Sequence, residues 1–244
     1  DACSRYARTL YKLPQLIFMA GLVALPVLLV MAQPDFGSAM VLSFIWLVAF
    51  LLVVQKKWHA VLIFGSIIVL LLMAWLFVLQ DYQKDRIYSF FDPGADPQGR
   101  GYNVRQSVIA VGAGKLFGRG LGFGSQSQLK FIPESQTDFI FAVIAEEIGF
   151  VGVTILLILF AVIFWRFYNI SIRAPDDFGL FLVLFTSAMI FFHILINIGM
   201  CLGLLPVTGI SLPFVSYGGS FLLTALVLIG IILSVYRYGK IARG

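Results

Sequence analysis

Six apolar runs divide this chain, at about 14–32, 38–54, 60–79, 139–165, 178–198 and 220–236, and each is near the ~20 residues that cross the hydrocarbon core of a bilayer. Backbone groups in lipid have no water to bond, so such runs are expected to be helices. The expected fold class is an all-α polytopic membrane protein: a single membrane domain over 1–244, about six transmembrane helices, and a large structured extracytoplasmic loop at 80–137. Composition points the same way. Hydrophobic residues make up 60% and charged residues 12%, with a mean hydropathy of +0.98, whereas soluble domains carry about twice that charge. A water-soluble globule is excluded.

Charge orients the runs. Arg5, Arg8 and Lys12, then Lys56 and Lys57, then Arg166 and Arg173, and finally Arg237, Lys240 and Arg243 all fall on one side of six alternating crossings. The positive-inside bias makes that side cytoplasmic, with both ends of the chain there and 33–35, 80–137 and 199–219 outside. This distribution accounts for much of the net charge of +5 without a nucleic-acid partner. Residue 1 is Asp and no signal peptide precedes the first run, which reads as a fragment or a processed chain. Cys3 and Cys201 are expected on opposite sides of the membrane, unable to pair.

Seven further basic residues, Lys84, Arg86, Arg100, Arg105, Lys115, Arg119 and Lys130, sit in the long loop, beyond the reach of the orientation rule. They read either as a solvated surface balanced by nearby acids or as an anion site. The loop is too rich in Ile, Leu, Phe and Val for disorder. Its stretch from Tyr102 to Phe117 reads as a short amphipathic or re-entrant helix carrying Val104, Val108, Ile109, Val111 and Leu116. Gly118, Gly120, Gly122 and Gly124 follow, alternating with Arg119, Leu121 and Phe123, and then Ser125, Gln126, Ser127 and Gln128. Such a run is either a flexible tip or a place where backbone N–H groups meet a ligand, with Arg119 or Lys130 facing negative charge.

Carboxylates flank the fourth run. Asp138 stands at its mouth after Pro133, Glu134, Ser135, Gln136 and Thr137. Ser135 and Asp138 have capping-box spacing, and Asp138 is also placed to take a proton from a substrate hydroxyl. Glu146 and Glu147 lie about 12–14 Å further along, close to mid-membrane for a span over 139–165, and about 80° and 180° around the helix from Asp138. His193 and Asn197, one turn apart on the next helix, are expected to pair with one glutamate. Intramembrane carboxylates point to function, although a locking pair between helices explains them as well. The uncharged segment from Gly203 to Ser220, broken by Pro206 and Pro213, reads as a tight connection or as a wall of the outer cavity with Ser216 and Ser220 as donors.

Several motifs together carry a family resemblance: Gln33-Pro34-Asp35 with Gly37; Asp92-Pro93 with Asp96; Gly101-Tyr102 with Gln106-Ser107; Pro133-Glu134 with Thr137-Asp138-Phe139; Glu146-Glu147; Asn197 with Gly199; and Pro213 to Ser220. The chain resembles the SEDS proteins, the RodA and FtsW group of bacterial cell-wall polymerases, over nearly its whole length. Gly124 to Leu129, with Asp81-Tyr82-Gln83 and Arg86, resembles the RodA branch. Family members have about ten spans, which implies that about four are absent here, and they often carry His where this chain has Gln136.

The resemblance implies a peptidoglycan glycosyltransferase of the inner membrane that polymerises lipid II during cell elongation and shape maintenance. Asp138 matches the family's catalytic aspartate. Substrate contacts are expected from Arg105, Gln106, Ser107, Arg119, Gln126, Ser127, Lys130, Glu134, Thr137, Ser216 and Ser220, and polar structural roles from Asp35, Glu146, Glu147, His193 and Asn197. A class B penicillin-binding protein and other elongation proteins are the implied partners. No closed metal site is visible; Mg2+ or Mn2+ riding on the substrate pyrophosphate is the one cofactor left open. A lipid-precursor flippase and a non-catalytic scaffold for a transpeptidase are the rival readings.

Overall fold

A computed structural model describes residues 13–33, 35–53, 100–128, 131–132 and 134–241, with Lys84, Tyr88 and Phe90. Side chains of 13–20, 53, 100, 127 and 128 are outside that description, as is the apolar run at 60–79. The described residues are all-helical: α1 (Leu13–Ala32), α2 (Phe36–Val53), α3 (Arg100–Ala113), α4 (Ser125–Gln128), α5 (Ile140–Ser171), α6 (Asp177–Cys201) and α7 (Gly219–Ile241). Among them α5, α6 and α7 are long and apolar enough to cross a membrane. Ile155, Ile158 and Leu159 on α5 and Leu223, Leu226 and Val227 on α7 are exposed, as hydrocarbon-facing residues are. The chain is a multi-pass membrane protein.

Helix starts follow capping chemistry. Asp35 accepts from the Ser38 N–H at 3.0 Å and from its hydroxyl at 2.6 Å, satisfying a free donor in the first turn of α2. Asp176 does the same for α6 through Gly179 N–H at 2.8 Å. Helix α2 lies along α6, where Phe44 stacks on Phe192 with centroids 4.4 Å apart. Its first turn presses on the segment after α6, so that a Cβ on Gly37 would come within 2.9 Å of the Thr208 carbonyl oxygen.

The core gathers where α3, α5 and α6 meet. Ala110, Ile132, Phe139, Ala142, Ile194, Cys201 and Leu212 are buried together, and the Ser107 hydroxyl ties α3 to α6 by donating to the Cys201 carbonyl at 2.8 Å. The packing sets the faces and the end of α3. Ser107 and Ala110 turn inward while Val108 and Ile109 are exposed, and the helix stops at Ala113, before Lys115 at φ +47°.

Helix α5 runs for 32 residues, about 48 Å, with Glu146 and Glu147 in its first third. It is broken at Gly149, whose φ of 74° and ψ of −166° belong to a region only glycine enters readily.

Candidate active site at the start of α5

The turn before α5 is held by its main chain. The carbonyl of Gln136 accepts from Tyr217 N–H at 2.9 Å, that of Thr137 from the Ser216 hydroxyl at 2.6 Å, and that of Asp138 from Asn197 Nδ2 at 2.7 Å. Three successive carbonyls are thus fixed by three donors from α6 and the wall that follows it. Asn197 Nδ2 also donates to the Ile210 carbonyl at 2.8 Å, and Ser216 accepts from Leu212 N–H at 2.7 Å, so Asn197 ties the wall to α6 and Ser216 ties it to itself while both hold the turn. Beneath them Phe139, Ile132 and Leu212 are 2% exposed or less, which denies the turn room to move.

Asn197 is fully buried, and replacing it strands the Ile210 carbonyl and leaves that of Asp138 with the weak Cys201 thiol donor at 3.7 Å. Asn197→Leu is expected to cost about 2–4 kcal/mol by thermal unfolding, since each unsatisfied buried acceptor costs roughly 1–3 kcal/mol. A loss below about 0.5 kcal/mol would show that water replaces the amide there.

The Asp138 carboxylate is left available by this arrangement. Helix α5 takes Phe139 as its N-cap residue, without a side-chain cap, so the capping-box reading of Ser135 and Asp138 does not hold. Among the described residues the hydrogen bonds to Asp138 go to its main-chain carbonyl. The carboxylate faces Gly209 at φ +76°, where an added Cβ would sit 3.6 Å from Oδ2. Beside Gly209 the buried Thr208 hydroxyl has no partner, and neither has the buried Oδ1 of Asn197. Burial, and second the nearby Glu134 carboxylate, push the Asp138 pKa above the ordinary value. Glu134 itself accepts from the Thr137 hydroxyl at 2.9 Å and bonds Phe139 N–H through its carbonyl at 3.1 Å.

A second polar group lies two turns along α5. Glu146 is fully buried, and its Oε1 accepts from Gln126 N–H at 3.0 Å and from the Ser125 hydroxyl at 3.4 Å. Arg119 Nη1 donates to the same hydroxyl at 2.9 Å. The strap from Lys115 to Gln128 also closes the Gly149 break: Arg119 and Gly120 N–H meet the carbonyls of Glu146 and Glu147 at 2.9 and 3.0 Å, and Phe150 and Val151 N–H meet those of Lys115 and Leu116 at 2.9 and 3.1 Å. Gly114 and Gly118 therefore serve a protein contact. An added Cβ on Gly114 or Gly118 would run into the carbonyls of Ala145 and Glu147, and the N–H groups of Arg119 and Gly120 are already spent.

The expected pairing of His193 or Asn197 with a glutamate is also corrected. His193 Nδ1 bonds the Met189 carbonyl at 2.9 Å and its ring stacks on Phe221, while Asn197 serves the turn. Arg105 and Arg119 are exposed, Gln106 is half-buried, and Ser107 is fully buried as an interhelical tie. Ser220 is exposed at the start of α7. Lys130 and the side chain of Ser127 lie outside the described residues. Thr208, Gly209 and Ser125 were not singled out from sequence as site residues; the signal for the first two was a glycine in an uncharged wall already broken by Pro206 and Pro213. Among the described residues no three His, Cys, Asp or Glu side chains cluster, so this donor set does not fit a metal held by protein alone.

Comparison with known proteins places this arrangement. A family model for FtsW, RodA and SpoVE, described as a cell cycle protein, matches residues 4–241. The chain belongs to the FtsW/RodA/SpoVE family. The family member MrdB of Escherichia coli (strain K12), named a peptidoglycan glycosyltransferase, is 42% identical over 223 residues, covering 90% of this chain and 59% of MrdB. Stage V sporulation protein E of Bacillus subtilis (strain 168) is 43% identical over 222 residues, with 90% and 59% covered. Among solved structures, a chain of a peptidoglycan synthase complex, studied for its coordination of polymerization and crosslinking, superposes with a TM-score of 0.72 at 32% identity, covering 90% of this chain and 60% of that one. RodA of Thermus thermophilus gives 0.55 at 27% identity, with 91% and 57% covered. This FtsW/RodA/SpoVE chain thus spans 59% of the length of the two curated relatives.

Proposed function

We propose that this chain forms the catalytic part of a peptidoglycan glycosyltransferase that polymerises lipid II into glycan strands during cell elongation, with Asp138 as general base. The observation that carries the reading is a half-buried carboxylate, uncommitted to capping, on a turn fixed through three consecutive carbonyls. The 42% identity to a peptidoglycan glycosyltransferase supplies the reaction class. The RodA-like run from Gly124 to Leu129 favours the elongation branch.

In this reaction the acceptor sugar 4-hydroxyl gives its proton to Asp138 as its oxygen bonds to the donor anomeric carbon, with inversion to a β-1,4 linkage. The bond from that carbon to the undecaprenyl pyrophosphate breaks, and the pyrophosphate leaves with the electron pair. A raised pKa makes Asp138 a stronger base, and a rigid turn aims it. Loop cations such as Arg119 offset the charge on the leaving group. The positive-inside pattern supports cytoplasmic ends and an outward-facing site, and the likeness to a synthase-complex chain supports a class B penicillin-binding protein as partner.

Reconstitution of the intact protein with its penicillin-binding partner and lipid II tests the reading. Glycan strands on a gel are expected, whereas transbilayer movement of lipid II without polymer would establish the flippase alternative. The same preparation carries a pH prediction. Glu134 raises the Asp138 pKa, so Glu134→Gln lowers it, and the acid limb of the kcat/KM profile moves to lower pH. A limb that stays in place, or moves up, would mean that Asp138 is not the titrating base.

A further inference from the structure

Glu146 is fully buried, yet the reaction drawn above gives it no proton to move. Its Oε1 accepts from two donors of the strap. The main-chain bonds at Arg119 and Gly120 fix the strap's near side, and the Glu146 carboxylate fixes its far side through Gln126 N–H and the Ser125 hydroxyl. That hydroxyl also receives Arg119 Nη1, so one oxygen links a buried carboxylate to an exposed guanidinium. An unrestrained arginine must be ordered anew at each encounter with an anion. One held at its head group is ready beforehand.

We propose that Glu146 is a positioning residue for polymerisation: it sets the strap on α5 and, through Ser125, holds the Arg119 guanidinium ready for the donor pyrophosphate. The inference rests on the polymerase reading. Its geometric half, that Glu146 anchors the strap, stands without it. Glu146→Gln keeps an acceptor for Gln126 N–H and Ser125, whereas Glu146→Leu removes it. A purely structural role would lower stability in proportion to lost bonds. It would not couple Glu146 to Arg119.

The test uses the intact protein with its penicillin-binding partner and lipid II, comparing Glu146→Leu, Glu146→Gln, Arg119→Ala, Ser125→Ala and the Glu146→Leu/Arg119→Ala double variant. Glu146→Leu is expected to raise KM about tenfold, because a prepaid contact with the bound pyrophosphate is lost, and to lower kcat as well, because Arg119 also meets the charge that develops as it leaves. Glu146→Gln recovers most of the loss, and the double variant is no worse than Arg119→Ala, since two residues acting through one contact are not additive. Amide exchange reads the anchor separately: Gln126 loses protection in Glu146→Leu and keeps it in Glu146→Gln. Should Glu146→Leu fail to fold, Ser125→Ala decides, by raising KM while Gln126 stays protected. Loosening at Gln126 with unchanged KM, or additive effects in the double variant, would overturn the proposal. Unchanged protection at Gln126 would overturn the anchor. Polymer absent from wild type would sink the reading of the site, and exchange alone would then judge the anchor.

Discussion

Gly149→Ala is expected to destabilise the protein by about 3–5 kcal/mol, a fall in Tm of roughly 10 °C or more. Two costs combine. The backbone at φ 74° and ψ −166° is open to glycine and strained by about 1–3 kcal/mol for any other residue. The new Cβ would also drive into the Gly118 N–H, prising the strap from α5. Four main-chain hydrogen bonds close the break, and displacing the strap would open them. Gly118→Ala meets the same barrier from the other side, at φ +77° and against the Glu147 carbonyl. Gly230→Ala is the control. It lies inside α7 with nothing within 4 Å of the added carbon, so it is expected to be neutral or to stabilise by up to ~1 kcal/mol. Thermal unfolding of the three variants in one detergent measures the contrast, and equal behaviour of Gly149→Ala and Gly230→Ala would contradict the account of the break.

Much of the architecture was legible because lipid imposes it. Helix α6 occupies Asp177–Cys201 against an apolar run at 178–198, and α7 occupies Gly219–Ile241 against 220–236. Apolar length fixes such elements with little help from tertiary contacts. Helix α3 was harder. The sequence shows its apolar residues but not that Val108 and Ile109 stay exposed while Ser107 finds its partner inside, at the Cys201 carbonyl.

At the site, Asp138 stood out as a carboxylate at the mouth of a long apolar run. What the chain pattern does not display is which donor reaches which carbonyl. Asn197 and Asp138 are 59 positions apart and Ser216 and Thr137 are 79 apart, so their bonds are set by the packing of α5 on α6 and the wall, not by local spacing. The glycine run left its partner open for a related reason. Glycine signals close backbone approach, but the sequence does not name the approaching group, which at Gly118 and Gly120 is the broken helix. Spacing alone likewise suggested that one of the two glutamates meets His193 and Asn197, whereas the strap folds back to meet Glu146.

Asp138→Asn is expected to lower polymerisation by about 10²–10⁴-fold, the range that a positioned general base supplies. Asparagine keeps the shape of the side chain and leaves the main-chain bonds from Asn197 and Ser216 untouched, so the turn stays in place. No cap is lost at α5. Burial already opposes the charged carboxylate, so the neutral amide is expected to hold Tm level or raise it. Lost activity with retained stability separates chemistry from folding. The deciding measurement is lipid II polymerisation by gel, wild type against Asp138→Asn, in the intact protein with its penicillin-binding partner at matched expression and partner binding. Disappearance of glycan strands at unchanged Tm is the predicted result; undiminished polymer would contradict the central claim and move the search for the base to Glu134.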